Sequence, residues 1–392
     1  MAAKSKTLAY DCVALVLQGG GALGAYQAGV FEGLAEAAIE PHWVAGISIG
    51  AINAALIAGN PPAQRVQRLR EFWQTVTAPP VLPATPQAWQ AAAAAQSWAG
   101  ARTALGWFEA SRALFEGQRG FFTPRLPSPM FALDAAPDAL SHYDTAPLAA
   151  TLERLVDFER LNAKGGMRFT VSAVNVRSGN YELFDNQRGP WAGRIAAAHI
   201  LASGALPPGF AAVPIDGEYY WDGGLVSNTP LATVLEDEPR CDTLAFQVDL
   251  WSALGPLPRN LLDVEERAKD IRFSSRTRAV TRQLERERHL RRVLREVLAR
   301  LPASARQGDA WCREAQALAS DKRFNVVHLI YQEKEWDGQA KDYEFSARSM
   351  QDHWSSGLAD MRRTLAHPDW LALPAGHASS VTHDVHRGTP RP

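Results

Sequence analysis

Two glycine-punctuated turns, each between an apolar run and a helical pattern, constrain this chain more than any other feature. Leu15-Val16-Leu17-Gln18-Gly19-Gly20-Gly21-Ala22-Leu23-Gly24 is followed, one strand and helix later, by Gly46-Ile47-Ser48-Ile49-Gly50. Residues 13–17 are apolar and β-branched enough for a buried parallel strand, and 23–37 read as a helix, so the first glycines fill a strand-to-helix turn. Backbone N–H groups at such a turn point outward without partners. They can hold a phosphate or a developing oxyanion, aided by the positive end of the helix dipole. The second unit repeats the pattern: 43–47 is a short strand, 51–58 a helix, and Ser48 falls on the bend. Gly46 and Gly50 flank it at two residues on either side and permit the strained backbone that exposes a nucleophilic hydroxyl at a strand's end.

A glycine-rich turn also serves dinucleotides, but that fold needs an acidic residue at the end of the second strand to take the ribose hydroxyls. Here that place carries Gly46-Ile47-Ser48, and the nearest acid, Glu40, precedes the strand. No Gly-Lys-Ser/Thr follows, which argues against a nucleoside triphosphate loop. A serine on such a bend needs a proton acceptor. None of the ten histidines lies in a segment that argues for facing Ser48. The better candidate is Asp222 in Tyr219-Tyr220-Trp221-Asp222-Gly223-Gly224-Leu225-Val226-Ser227-Asn228, where Gly223 and Gly224 let the backbone turn sharply after the carboxylate.

These motifs, in this order across residues 13–226, resemble those of the patatin-like phospholipase family, as does Ala202-Ser203-Gly204-Ala205-Leu206-Pro207-Pro208-Gly209-Phe210 ahead of the Asp222 strand. The resemblance implies an α/β chain with a three-layer α/β/α fold and a mostly parallel central sheet. It implies a serine esterase or phospholipase working with a Ser-Asp dyad, Ser48 as nucleophile and Asp222 as base, on a lipid or other apolar ester. The oxyanion hole would be drawn from Gly19, Gly20, Gly21, Ala22 and Gly24, with Gly46, Gly50, Gly223 and Gly224 as turn support, and neither cofactor nor metal would take part. Family members often carry Lys or Arg where this chain has Leu23. The closer resemblance is to a bacterial subgroup with a C-terminal extension, represented here by Lys341-Asp342-Tyr343-Glu344-Phe345-Ser346, His353-Trp354 and Thr364-Leu365-Ala366-His367-Pro368-Asp369-Trp370. Two other classes compete. A lipase-like Ser-Asp-His triad would need its glycines and elbow farther apart and a histidine after the acid. A non-catalytic coat protein on lipid or polyester inclusions would need no intact dyad.

Composition fits these readings without selecting among them. At 392 residues the chain can bury a large core, and a net charge of −1 gives no global field toward nucleic acid or anionic lipid. Cys12, Cys241 and Cys312 are odd in number and widely separated in sequence, and read as buried or inert thiols in a reducing compartment. Residues 12–31 and 41–64 lack Asp, Glu, Lys and Arg, yet glycines and glutamines break the first as a membrane span, and the second reads as a central helix apolar all round. The expectation is a cytoplasmic protein, with a membrane or granule surface as a candidate peripheral contact and no nucleic-acid partner.

The domain reading is a hydrolase domain at 10–250 with a helical, aromatic-rich insertion at about 65–142, a mainly helical extension at 256–372, and a disordered tail at 377–392. In the insertion, 65–73 is a short amphipathic helix, 78–87 is proline-broken and 89–105 is an alanine-rich helix. Trp89, Trp98, Trp107, Phe108, Phe115, Phe121 and Phe122 form either an apolar lid or a small helical core. Strands are expected at 168–176, 181–184, 219–221, 243–250 and 324–331, the last an edge addition to the sheet. Residues 259–300 hold 13 Lys/Arg against 7 Asp/Glu. Their helical pattern puts Val280, Leu284, Leu290, Leu294, Val297, Leu298 and Leu301 on one side, opposite Arg282, Arg288, Arg292 and Arg295. That helix either lies on an anionic surface or packs on its own domain with a solvated arginine face. A final helix is read at 345–365.

Overall fold

The computed structural model describes residues 8–77, 99–127, 129, 135–275, 277–334, 336–375 and 380–386. Nine strands form one mostly parallel sheet with helices on both faces. The strands β1 (Cys12–Leu17), β2 (Trp43–Gly46), β5 (Arg168–Asn175), β6 (Tyr181–Asp185), β7 (Val213–Ile215), β8 (Glu218–Asp222), β9 (Thr243–Asp249), β10 (Phe324–Ile330) and β11 (Ser380–Asp384) make it up. Among the described residues, β3 (Thr123–Pro124) and β4 (Tyr143–Asp144) lie outside this sheet and pair with each other.

Alternation along β1 assigns the two layers. Val13, Leu15 and Leu17 face a core built with helices α1 (Ala25–Glu36) and α2 (Ile49–Ala58), while Ala14 and Val16 face a second core shared with Leu231, Leu235 and Leu284. As its composition requires, α2 is buried over its whole length. Beyond it, α3 (Arg65–Val76) packs Phe72 and Trp73 into the first core.

The register around β5 positions the site. β6 occupies one edge of β5, pairing Thr170 with Asp185 and Ala173 with Glu182. The other edge is shared: β2 pairs in parallel up to Gly46 opposite Val171, and β8 takes over antiparallel, with Asp222 opposite Ala173. The bend at Ser48 and the carboxylate of Asp222 therefore meet where one strand yields to the other.

In the insertion, Phe121 and Phe122 are buried against Tyr143 and Phe210, and so belong to a core. Trp107, Phe108 and Phe115, on α4 (Ala99–Glu116), remain exposed. Residues 78–98, with the proline-broken stretch, most of the alanine-rich helix, Trp89 and Trp98, lie outside the described residues.

The C-terminal region does not stand apart from the first. β10 is internal, parallel to β9 on one side and to β11 on the other, so the tail expected to be disordered instead supplies the edge strand. Backbone pairing and the stacking of His383 on Trp370 hold residues whose side chains alone gave no strand pattern. Residues 387–392 lie outside the described set. Helix α5 (Ala347–Leu365) packs on α1 at backbone contact: a Cβ on Gly29 would fall 1.9 Å from the Trp354 carbonyl oxygen, and one on Gly357 2.0 Å from that of Tyr26.

The basic helix α6 (Thr277–Arg300) docks by a different stripe from the one its pattern indicates. Leu284 and Leu298 are buried, but Leu290, Val293 and Val297 face solvent. Arg288 is buried, donating to the carbonyls of Leu235 and Lys322 and lying over the Phe324 ring. The Arg288 guanidinium meets the Leu235 carbonyl at a helix end and an aromatic face, and that seat turns the helix from the stripe its leucines mark. Cys12, at the start of β1, pairs in register with Thr243, two residues after Cys241, and both cysteines are half-buried.

Candidate active site

Ser48 caps α2 with φ 56° and ψ −122°, a strained conformation for a residue with a side chain. The glycines around it have a steric reason. A Cβ on Gly46 would lie 2.2 Å from the Gly50 carbonyl oxygen, and one on Gly50 2.3 Å from that of Leu17. Ser203 steadies the bend, its carbonyl and hydroxyl oxygens both accepting the Ser48 N–H at 3.1 Å. From the same segment, the Ala205 carbonyl accepts the Asp222 N–H at 3.0 Å, so the stretch from Ala202 to Pro208 ties nucleophile strand to acid strand.

Asp222 is 2% exposed. Burial pushes its carboxyl up to about 7, against the opposing pull of hydrogen bonds from the Gly224 N–H and the Ser48 hydroxyl. The Gly224 N–H lies 2.7 Å from Oδ1. Gly223 is needed where the chain leaves β8, because a Cβ there would meet the Ser172 carbonyl oxygen at 2.7 Å.

The glycine turn runs against Ser48, a Cβ on Gly19 falling 3.1 Å from that of Ser48. Its five expected donors divide. The Gly19 N–H is spent on the Asn228 carbonyl at 3.3 Å and the Ala22 N–H on the Asp342 carbonyl at 2.7 Å. Gly24 is a packing glycine, since a Cβ there would lie 2.5 Å from Ile49. Gly20 and Gly21 remain, and their N–H groups make no hydrogen bond among the described residues. Leu23 is fully buried in the core, so this position presents nothing to a headgroup.

No histidine among the described residues hydrogen-bonds Ser48 or Asp222. His199 is buried between Phe184 and Trp191 with Nδ1 on the Ala196 N–H, and His328 is paired at 2.7 Å with Asp249. No group of three or more His, Cys, Asp or Glu among the described residues is arranged to hold a metal ion. Beside the site, a cavity of about 610 Å³ is lined by Leu206, Pro207, Gly224, Asn228, Arg272 and Phe273, among others. Sequence reasoning had passed over Asn228, Trp251 and Asp342. Asn228 Nδ2 and the Trp251 indole N–H both donate to the Gly19 carbonyl, at 3.1 and 2.8 Å. None of the three stands in a pattern that reveals its partner.

Fold and site together define an α/β protein with a serine on a strand-to-helix elbow beside a buried carboxylate. The chain belongs to the patatin-like phospholipase family, whose model matches residues 15–235. A second model, described as patatin phospholipase, matches residues 271–377. Membership carries lipid acyl hydrolysis as the general activity. No curated protein matches the sequence. Among solved structures, VipD from Legionella pneumophila aligns over 92% of this chain and 67% of its own at 14% identity, with a TM-score of 0.38.

Proposed function

We propose that the chain is a serine acyl hydrolase of lipid esters, with Ser48 as nucleophile and Asp222 as its base. The observation that carries this is Asp222 itself, a buried carboxylate pushed up to about 7 and set beside the strained elbow of Ser48. Ser48 Oγ attacks the ester carbonyl carbon, its proton passes to Asp222, and the carbonyl π pair becomes an oxyanion facing the Gly20 and Gly21 N–H groups. Collapse expels the alkoxide, which takes the proton from Asp222. Water then attacks the acyl-enzyme by the same route and releases the fatty acid. Each step uses groups of this chain, so the reading calls for no cofactor.

Among lipid esters, phospholipid and lysophospholipid are the first substrates to test, with neutral lipid and storage polyester as the alternative. A peripheral position on a membrane or inclusion in the cytoplasm is supported by Leu225 and Val226, exposed just past Asp222, and by the outward Leu290, Val293 and Val297. No helix among the described residues is long and apolar enough to cross a membrane. Fatty-acid release from mixed vesicles and from short-chain p-nitrophenyl esters tests the reading. Ser48→Ala and Asp222→Asn are expected to lower turnover by about 10³-fold or more while remaining folded. Turnover by folded Asp222→Asn at the wild-type rate would require another base.

A further inference from the structure

The C-terminal extension reaches the glycine turn directly. The Asp342 carbonyl accepts the Ala22 N–H at 2.7 Å. Gly21, at φ +56°, lies so close beneath that a Cβ would be 2.0 Å from the Asp342 carbonyl oxygen. At the other end of the turn the Trp251 indole N–H holds the Gly19 carbonyl, and Lys269 and Lys341 each stand 5.6 Å from the Trp251 ring. Lys269 pairs with the Asp342 carboxylate. Lys341 is 7% exposed and lies within 2.8 Å of Asp270 and Glu333 and 3.3 Å of Glu266. Burial, with Glu333 beside it, pushes the Glu266 carboxyl up to about 8. Such a lysine, ringed by carboxylates from the segment 261–273 and from Glu333, fixes the loop that carries Asp342.

We propose that the extension is a clamp for the oxyanion turn, in which Lys341 and Lys269 are positioning residues that hold Asp342 and Trp251 on the turn's two ends, so that Gly20 and Gly21 are left as its free donors. This rests on the proposed Ser-Asp chemistry. Preorganised donors assist only if they are already aimed where charge develops, and a turn with four successive small residues does not hold that aim by itself. The clamp spends the flanking amides and leaves the middle pair.

The test compares the full-length wild type with Lys341→Met, Lys341→Arg and Lys269→Met, each checked for folding. Two readouts are taken: kcat and KM on a p-nitrophenyl ester, and Ki for an alkyl trifluoromethyl ketone. The ketone adds Ser48 Oγ to its carbonyl carbon, sends the serine proton to Asp222, and leaves a hemiketal oxyanion in the turn. The clamp predicts kcat lower by about 10- to 100-fold in Lys341→Met, KM changed by less than about threefold, and Ki raised by the factor that kcat/KM loses. Lys269→Met should shift the same way to a smaller degree, and Lys341→Arg should recover part of the loss. If Lys341→Met does not fold, Lys269→Met decides, since its ion pair is partly exposed. Folded variants with wild-type kcat and Ki would overturn the clamp, as would a loss confined to KM. A wild type that neither cleaves the ester nor binds the ketone would instead remove the nucleophile reading, and the clamp with it.

Discussion

Ser48 and Asp222 illustrate opposite uses of cost. The serine's positive φ is held by the packing around Gly46 and Gly50 and stores on the order of 1–3 kcal/mol of backbone strain. The aspartate stores its cost in protonation. Burial pushes its carboxyl up to about 7, so the folded protein keeps a proton that the unfolded chain releases near the ordinary carboxylate value of 3.8. Between those two values stability from this group falls as pH rises, and above about 7 the buried charge is carried in full. Two results are expected. In wild type kcat/KM rises through about pH 7 to a plateau, because the base must be ionised. Asp222→Asn should be more stable than wild type at about pH 8 by roughly 2–4 kcal/mol, with the gap narrowing toward about pH 4, as thermal melts at several pH values would show. A flat pH profile with equal melts would contradict this account of Asp222. The bends that carry both residues were legible because glycines mark them. The division of labour in the turn was not, because the partners of Gly19 and Ala22, Asn228 and Asp342, are remote in sequence and act through carbonyls that any residue type would supply.

Elements were legible where one physical signal dominated. The apolar runs of β1, β2, β5 and β9 and the uncharged α2 stand where their composition put them. β11 was missed because its sequence, Ser-Val-Thr-His-Asp, has no apolar face and takes its order from pairing with β10. The stripe on α6 was misassigned for a related reason: hydropathy counts an arginine as outward, whereas Arg288 finds two carbonyls and an aromatic face inside. The elbow itself makes a sharp prediction at this scale. In Gly50→Ala the new methyl would sit 2.3 Å from the Leu17 carbonyl oxygen and 2.9 Å from that of Gln18, both backbone atoms that cannot swing away. The substitution should cost about 3 kcal/mol or more and lower turnover by at least about 10²-fold, measured by thermal melting and ester hydrolysis. A variant that melts and turns over like wild type would mean the elbow is not tightly set.

For the whole molecule, the change in composition near residue 255 does not divide the sheet. Strands from before and after it share one sheet, α5 packs on α1 through facing glycines, and the loop at Asp342 lies on the glycine turn. The hydrolase domain and the extension therefore share one sheet and one set of contacts, and every test belongs on the chain that carries both. The most direct is intact-mass labelling with a fluorophosphonate, comparing wild type, Ser48→Ala and Asp222→Asn after each is shown to be folded. A single adduct on wild type, mapped to Ser48, absent from Ser48→Ala and slowed by about 10²-fold or more in Asp222→Asn, is the predicted result. A folded wild type that stays unlabelled even with lipid or detergent present, or an Asp222→Asn variant labelled as fast as wild type, would contradict a serine activated by Asp222.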